Sequence, residues 1–141
     1  MLRRHSNKIF IKSPKRGLIK TRKFVICFCK ENGLKEMDTD IFEMAVTEAC
    51  HNAVRHGVKN SDGAYCELEL FISPDHIKAI VKDYSDVFEV DEIDSFDLDQ
   101  NFLQYKNGGL GIPLIKSLMD KVEYQHKDGN GNILTLIKNI D

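Results

Sequence analysis

A carboxylate and a carboxamide stand four residues apart in a stretch of the chain that is predicted to be helical. The stretch EMAVTEACHNAVRHG, residues 43–57, contains no Pro or Gly before Gly57. Its Ala, Met and Glu residues favour helix, and Gly57 is a stop signal. The four-residue spacing places Glu48 and Asn52 on one line of one helix face. Because a carboxylate can accept a proton and an amide oxygen is a hard ligand for Mg²⁺, this face is a candidate site.

A second stretch that could do chemistry is GGLGIPLIKSLMDKV. Gly108, Gly109 and Gly111 lie around Leu110 and lead into an amphipathic helix predicted over residues 110–121. Glycines let backbone N–H groups approach a phosphate, and a helix N-terminus adds the positive end of a dipole. Many glycine-rich helix starts are only turns, so this stretch predicts a phosphate cradle only in combination with the first.

The remaining sequence predicts the strands and helices that must position these two stretches. Alternation of apolar and polar residues predicts strands, and a 3.6-residue apolar period predicts helices. Five strands are predicted, over residues 8–12, 65–72, 77–82, 122–125 and 133–137. Helices are predicted over residues 15–32, from a cap at Asp38, Thr39 or Asp40 to residue 57, and over residues 110–121. Pro14 lies near the start of the first helix, and Gly33 ends it.

Helices and antiparallel hairpins that share one core predict a single domain over residues 1–141. The expected fold is α/β (α+β), a two-layer sandwich with helices on one face of a mainly antiparallel, mixed sheet. Residues 84–107 carry little regular pattern. A stretch of that length inside a compact domain is usually functional or mobile.

Composition predicts a cytoplasmic protein. The hydrophobic fraction of 42% and the charged fraction of 30% are those of an ordinary soluble protein. The longest apolar run, residues 24–29, is too short for a membrane span or a signal-peptide core, so we expect no membrane association. The spacing of Cys27, Cys29, Cys50 and Cys66 fits neither a redox pair nor a zinc site, which predicts free thiols in a reducing compartment.

Charge is unevenly distributed along the chain. Residues 1–30 contain ten Lys and Arg residues and no acid, whereas residues 83–99 contain eight Asp and Glu residues and no base. These segments form either two solvated faces or, for the basic segment, a surface for an acidic partner protein. Direct nucleic-acid binding is disfavoured because aromatic residues are not interleaved with the bases.

Together the two stretches resemble a known family. EACHNAVRHG resembles the N box, E-x-x-x-N-A-x-x-H-G, of GHKL-type ATP-binding domains. GGLGIPLIKSLMDKVEY resembles the second glycine box of the RsbW-like anti-sigma-factor serine kinases. The resemblance spans roughly residues 9–138 and implies the GHKL, or Bergerat, ATPase fold.

The resemblance implies roles for the polar residues of both stretches. Asn52 would hold the Mg²⁺ that bridges the ATP phosphates, and Glu48 would accept the proton of an attacking serine hydroxyl. Asp83 would accept a hydrogen bond from the adenine amino group, and Thr135 would help to bind adenine. Gly108, Gly109, Leu110 and Gly111 would form the phosphate cradle. Lys106, just before these glycines, would offset the negative charge of the acidic segment that follows Asp83.

One segment departs from the family pattern. The first glycine box, roughly D-x-G-x-G, is here Asp83-Tyr84-Ser85-Asp86-Val87, so Ser85 and Val87 stand where glycines are expected. Glycine permits a backbone turn and close approach to the nucleotide that Val does not readily allow.

Three functions follow from the resemblance. The first is an anti-sigma factor that is also an ATP-dependent serine kinase. It would bind a sigma factor or a STAS-type antagonist, commonly as a homodimer, and phosphorylate the antagonist. The second is a GHKL-fold binding module with weakened or lost ATP binding, which the altered glycine box favours. The third, a detached histidine-kinase catalytic domain, is disfavoured by Glu48, since those domains commonly lack an acid there.

Overall fold

A computed structural model describes residues 7–85, 111–127 and 131–140. Within these ranges the chain forms five strands and three helices. In chain order they are β1 (Lys8–Ile11), α1 (Pro14–Glu31), α2 (Glu36–His56), β2 (Cys66–Ile72), β3 (His76–Asp83), α3 (Gly111–Leu118), β4 (Lys121–Lys127) and β5 (Gly131–Asn139). The predicted fold class is confirmed, and each strand pairing in the described ranges is antiparallel.

The five strands form one sheet in the order β1-β2-β3-β5-β4. Alternate residues of each strand face the helices, as the period of two requires. Along β2 the buried positions are Cys66, Leu68 and Leu70, which alternate along the strand. The register aligns Cys66 with Asp83 on β3 and Asp83 with Asn132 on β5. Cys66, Asp83 and Asn132 therefore lie side by side on three neighbouring strands, at the end of the sheet where β3 stops.

The helices cover one face of this sheet and close the core. Helix α2 buries its apolar line, including Phe42, Ala45, Ala49 and Ala53, against the strands. The thiol of Cys50 lies against Cys66 of β2, and this contact together with burial holds the pKa of Cys50 well above its usual range. Cys50 therefore stays a neutral thiol that packs as a small apolar side chain and holds α2 to the sheet.

Local capping explains where α1 begins. Ser13 is the N-cap of α1 and its side chain accepts a hydrogen bond from the Gly17 backbone, with Pro14 in the first helical position. Gly33 has a φ of 73°, which ends the helix as predicted. These signals were readable in the sequence because each is local.

Two predicted helix boundaries were wrong. Helix α2 begins at Glu36, and its N-cap residue Lys35 makes no side-chain capping bond. Thr39 lies inside the first turn, where its hydroxyl donates to the Lys35 carbonyl. Helix α3 ends at Leu118 instead of residue 121, because Lys121 already begins β4. No helix in the described ranges is long and apolar enough to cross a membrane.

Candidate functional site

Asn52 lies in the last two turns of α2, and its side chain is buried. It is 5% exposed, although it is a polar residue on the face that the sequence marks as chemical. Its amide nitrogen Nδ2 has no hydrogen-bond partner among the described residues. A buried amide donor without a partner is costly, so its retention points to a group that binds there.

Gly111 begins α3 directly against the Asn52 side chain. A Cβ at position 111 would lie 2.5 Å from Oδ1 and 2.8 Å from Cγ of Asn52. Real Cβ atoms do not approach so closely, so only glycine fits here. The structure thereby places Gly111, the described part of the second glycine box, against the helix that carries Glu48 and Asn52, as a binding site shared by both would require.

Arg55 occupies the oxygen side of the same amide. Its Nη2 donates a hydrogen bond to Asn52 Oδ1 from one turn further along α2. The Arg55 side chain is otherwise at the surface. A cation therefore already contacts the oxygen that was predicted to bind Mg²⁺, and a metal ion there would experience its positive charge.

Glu48 lies one turn before Asn52 and remains accessible. Its side chain is 26% exposed, and its Oε2 lies 3.9 Å from Nδ1 of His51. That distance allows an electrostatic contact but is too long for a hydrogen bond. The carboxylate is thus partly exposed and lies one helical turn from the Asn52 amide.

Asp83 stands at the end of β3 in a hydrogen-bonded network. Its Oδ1 accepts bonds from the Ser85 backbone N–H at 3.0 Å and from Asn132 Nδ2 at 2.9 Å. Asn132 Nδ2 also donates to the Ser85 carbonyl at 3.0 Å, and Asn132 Oδ1 contacts His126 Nδ1. Asn132 and Ser85 are each 2% exposed. The network fixes the position and direction of the Asp83 carboxylate.

The backbone after β3 is held from two sides. Gly131 has a φ of 81°, and a Cβ there would lie 2.9 Å from the Cα of Tyr84. The Tyr84 hydroxyl accepts a hydrogen bond from Asn60 Nδ2 at 3.1 Å, and burial raises the pKa of Tyr84. Asn60 belongs to the segment that follows α2, so this contact links the end of β3 to the end of the helix that carries Asn52.

The comparisons with known proteins agree with this geometry. Residues 12–138 match the family described as the histidine kinase-like ATPase domain. The chain belongs to this family. The predicted recognition of a GHKL-type, RsbW-like domain is therefore confirmed.

Curated relatives lie within the same family. The serine-protein kinases RsbW of Staphylococcus aureus strains JH9 and Newman are each 35% identical to this chain over 97 residues, which is 65% of this chain and 61% of theirs. The chain thus spans less than two thirds of the length of the curated relatives it matches. A crystal structure of the SiaB–SiaC complex from Pseudomonas aeruginosa superposes with a TM-score of 0.65 at 10% identity, covering 94% of this chain and 89% of the other. At that identity the superposition shows the fold alone.

Among the predicted site residues that the structure describes, Thr135 lies apart from the others. It lies on β5 opposite Ile80 of β3, between the buried Leu134 and Leu136. Because alternate residues face opposite sides, Thr135 points to the sheet face away from the helices. Asn132 lies three positions earlier on the helix side and contacts Asp83 directly. Asn132 was not among the predicted site residues because the last strand was predicted to begin at residue 133, whereas β5 begins at Gly131.

Ser85 stands where the family pattern has a glycine, and its backbone conformation is not strained. No non-glycine residue in the described ranges has a positive φ, so Ser85 occupies ordinary backbone conformation. Its N–H and carbonyl are both bonded within the Asp83 network. The predicted residues Val87, Lys106, Gly108, Gly109 and Leu110 lie outside the described residues.

Proposed function

We propose that this chain binds Mg-ATP at the junction of α2, β3 and α3 and acts as an anti-sigma factor and serine/threonine-protein kinase. The observation that carries the proposal is the contact of Gly111 with Asn52, which joins two motifs 59 positions apart in the sequence. Membership of the histidine kinase-like ATPase family and 35% identity to serine-protein kinases support it.

The residues around Asn52 fit a magnesium–phosphate group. The unpartnered Nδ2 can donate to a phosphate oxygen, and Oδ1 is a neutral oxygen ligand of the kind that Mg²⁺ accepts. No group of three or more His, Cys, Asp or Glu side chains in the described ranges is placed to hold a metal. A bound Mg²⁺ would therefore take its other ligands from phosphate and water, and it would supply neutralisation of the phosphate charge.

Glu48 would act as the general base of phosphotransfer. In this step the serine oxygen bonds to the γ-phosphorus, its proton passes to the Glu48 carboxylate, and ADP leaves with the electron pair of the broken P–O bond. The partial exposure of Glu48 lets a hydroxyl from another protein reach it. His51 lies near enough to orient the carboxylate without sequestering it.

Asp83 would recognise the adenine amino group, with its orientation set by Asn132 and Ser85. A carboxylate whose Oδ1 is already bonded presents a defined direction to one incoming donor, which favours adenine over a base with a carbonyl at that position. Gly108, Gly109, Leu110 and Gly111 would supply the phosphate cradle, and Lys106 would add a compensating positive charge.

The partners would be those of partner switching. The antagonist is a STAS-domain protein whose serine is phosphorylated, and the alternative partner is a sigma factor, with a homodimer as the working unit. The RsbW relatives are named serine-protein kinases, and the structural neighbour SiaB was crystallised in complex with SiaC. Both observations favour a function exercised on another protein.

A second candidate function is a regulatory binding module with weakened ATP binding. The specific observation in its favour is the Arg55 guanidinium on Asn52 Oδ1. If that bond persists in solution, Mg²⁺ competes with a tethered cation for the same oxygen. The two functions differ in whether Mg²⁺ and ATP displace Arg55.

The test begins with nucleotide binding and continues to phosphotransfer. The purified, nucleotide-stripped chain is titrated with Mg-ATP and then incubated with STAS-domain proteins from the same genome. Phosphoserine on one of them, detected by mass spectrometry, establishes the kinase. Nucleotide binding with no phosphorylated substrate from that complete set contradicts the kinase assignment, and absence of nucleotide binding favours the binding module.

A further inference from the structure

A row of polar side chains runs across the sheet from its β4 edge to the end of β3. The strand register pairs His126 on β4 with Asn132 on β5, and Asn132 with Asp83 on β3. Residues that stand directly opposite one another in antiparallel strands project from the same face of the sheet. The three side chains therefore lie side by side. His126 is the one at the edge, since β4 is the terminal strand of the described sheet.

The Asn132 amide uses both of its ends within this row. Its Nδ2 carries two hydrogens and donates to Asp83 Oδ1 at 2.9 Å and to the Ser85 carbonyl at 3.0 Å. Its Oδ1 is hydrogen-bonded to His126 Nδ1. In the reverse orientation the amide oxygen would face a carboxylate and a carbonyl, which are both acceptors. The contacts therefore favour one direction of the amide.

This direction determines which nitrogen of His126 carries a proton. An amide oxygen only accepts hydrogen bonds, so the imidazole nitrogen that faces it must be a donor. His126 is accordingly the Nδ1–H tautomer when its ring is neutral. Because Asn132 is 2% exposed, removal of this donor would leave its amide oxygen buried with a hydrogen bond lost, which is unfavourable.

The position of the amide in turn affects the position of the Asp83 carboxylate. Asp83 Oδ1 accepts one bond from Asn132 Nδ2 and one from the Ser85 backbone N–H at 3.0 Å. A donor on the amide oxygen also polarises the amide and strengthens the bonds that its N–H groups donate. Loss of the His126 donor should therefore loosen the Asp83 carboxylate through Asn132.

We propose that His126 is a positioning residue for recognition of the nucleobase. Its Nδ1–H holds the Asn132 amide, and that amide orients the Asp83 carboxylate toward the amino group of adenine. The inference rests on the proposed adenine role of Asp83 and extends the recognition network to the edge of the sheet. Asn52 and Gly111 of the proposed phosphate site lie on α2 and α3, outside this row. His126 therefore affects selection of the base and not binding of the phosphates.

The test compares ATP with inosine triphosphate, which carries a carbonyl where ATP has the adenine amino group. Affinities of the magnesium complexes are measured by calorimetry on the nucleotide-stripped chain. We expect the unmodified chain to prefer ATP at least about tenfold. His126→Phe keeps an aromatic ring and removes the donor. It should weaken ATP binding about fivefold and change inosine triphosphate binding less than about twofold, whereas a general structural defect would weaken both.

Two further variants separate the hydrogen-bond donor from the bulk of the side chain. His126→Asn returns an N–H donor near the position of Nδ1 and should restore most of the ATP preference. Gln125→Phe introduces the same ring at the neighbouring residue of β4, which pairs with Ile133. Because adjacent strand residues face opposite sides of the sheet, this variant should leave both affinities unchanged.

The hydrogen bond itself can be observed without nucleotide. Heteronuclear NMR of the unliganded chain in alkaline solution should show the Nδ1–H tautomer of His126. The side-chain amide of Asn132 should exchange slowly with water, and faster in His126→Phe. The Nε2–H tautomer, or an unchanged ATP preference in His126→Phe, would overturn the role of His126 while nucleotide binding stands. Failure of the unmodified chain to bind ATP would overturn the proposed function, and this positioning role with it.

Discussion

Gly111 and Asn52 lie so close that the side-chain amide of Asn52 occupies the space in which any other residue at position 111 would place its Cβ. The consequence is that a side chain at position 111 would force either the Asn52 amide or the start of α3 to shift. The start of α3 and the Asn52 amide are therefore in direct contact, which is the arrangement that the proposed phosphate site requires.

Replacing Gly111 with alanine should damage this junction. Overpacking of this kind costs about 1–3 kcal/mol, and a displaced α3 should reduce affinity for Mg-ATP at least about tenfold. Binding is measured by calorimetry and stability by urea unfolding. Gly33→Ala is the matched control, since Gly33 has a φ of 73° but no neighbour within 4 Å. That variant should lose stability and keep ATP affinity; unchanged affinity in Gly111→Ala would contradict the role of the contact.

Replacing Glu48 with glutamine should abolish phosphotransfer and spare binding. The amide has the shape of the carboxylate but cannot accept the serine proton, so the rate should fall at least about 100-fold. Affinity for Mg-ATP should change less than about threefold. Glu43→Gln alters an acid on the same helix that is bonded to Arg22 at 2.7 Å, and it should leave the transfer rate intact. A Glu48→Gln protein with normal transfer would show that another group is the base.

Replacing Arg55 with glutamine should make the site easier for magnesium to enter. Removing the cation that bonds Asn52 Oδ1 should lower the Mg²⁺ concentration needed for half-maximal ATP binding by about two- to fivefold. Arg22→Gln removes a surface arginine that pairs with Glu43, and it should leave that concentration unchanged. An identical Mg²⁺ dependence in Arg55→Gln would mean that Arg55 does not hold the amide oxygen in solution.

Substitutions of Asn132 and Thr135, three positions apart on β5, are expected to have opposite effects on nucleotide preference. Asn132→Ala removes the hydrogen bonds to Asp83 and Ser85 and the contact with His126, so it should destabilise the fold by about 1–3 kcal/mol and weaken the preference for ATP over GTP. Thr135→Val changes only the far face of the sheet and should leave nucleotide preference unaltered. Nucleotide competition and urea unfolding on both variants check this. A Thr135→Val protein with a reduced preference for ATP over GTP would indicate that Thr135 does contact the nucleotide.

The sequence predicted much of the fold because its signals were local. Pro14, Gly33 and Gly57 mark helix ends through their own backbone preferences, and the alternation in β2 shows which face is buried. The α2 start was missed because several polar residues could cap it and tertiary packing chose an earlier position. The end of α3 was missed because Asp120 already bonds to the β5 backbone.

The candidate site was predictable where residues share one helix and less so where strands meet. Glu48 and Asn52 follow from helical spacing alone. Whether Asn132 or Thr135 lies on the helix side of β5 depends on the strand register. A one-residue shift of the register would exchange the two faces, and the sequence of one strand alone does not fix the register. The Arg55 contact and the fit of Gly111 depend on side-chain placement, which spacing does not give.

The measurement that tests the central claim most directly is calorimetric titration of the nucleotide-stripped chain with Mg-ATP, with Asn52→Ala as the paired variant. The proposed site predicts a dissociation constant on the order of micromolar for the unmodified chain and at least about tenfold weaker binding for Asn52→Ala. No heat of binding up to millimolar Mg-ATP, or equal affinity in the two proteins, would contradict a nucleotide site at Asn52.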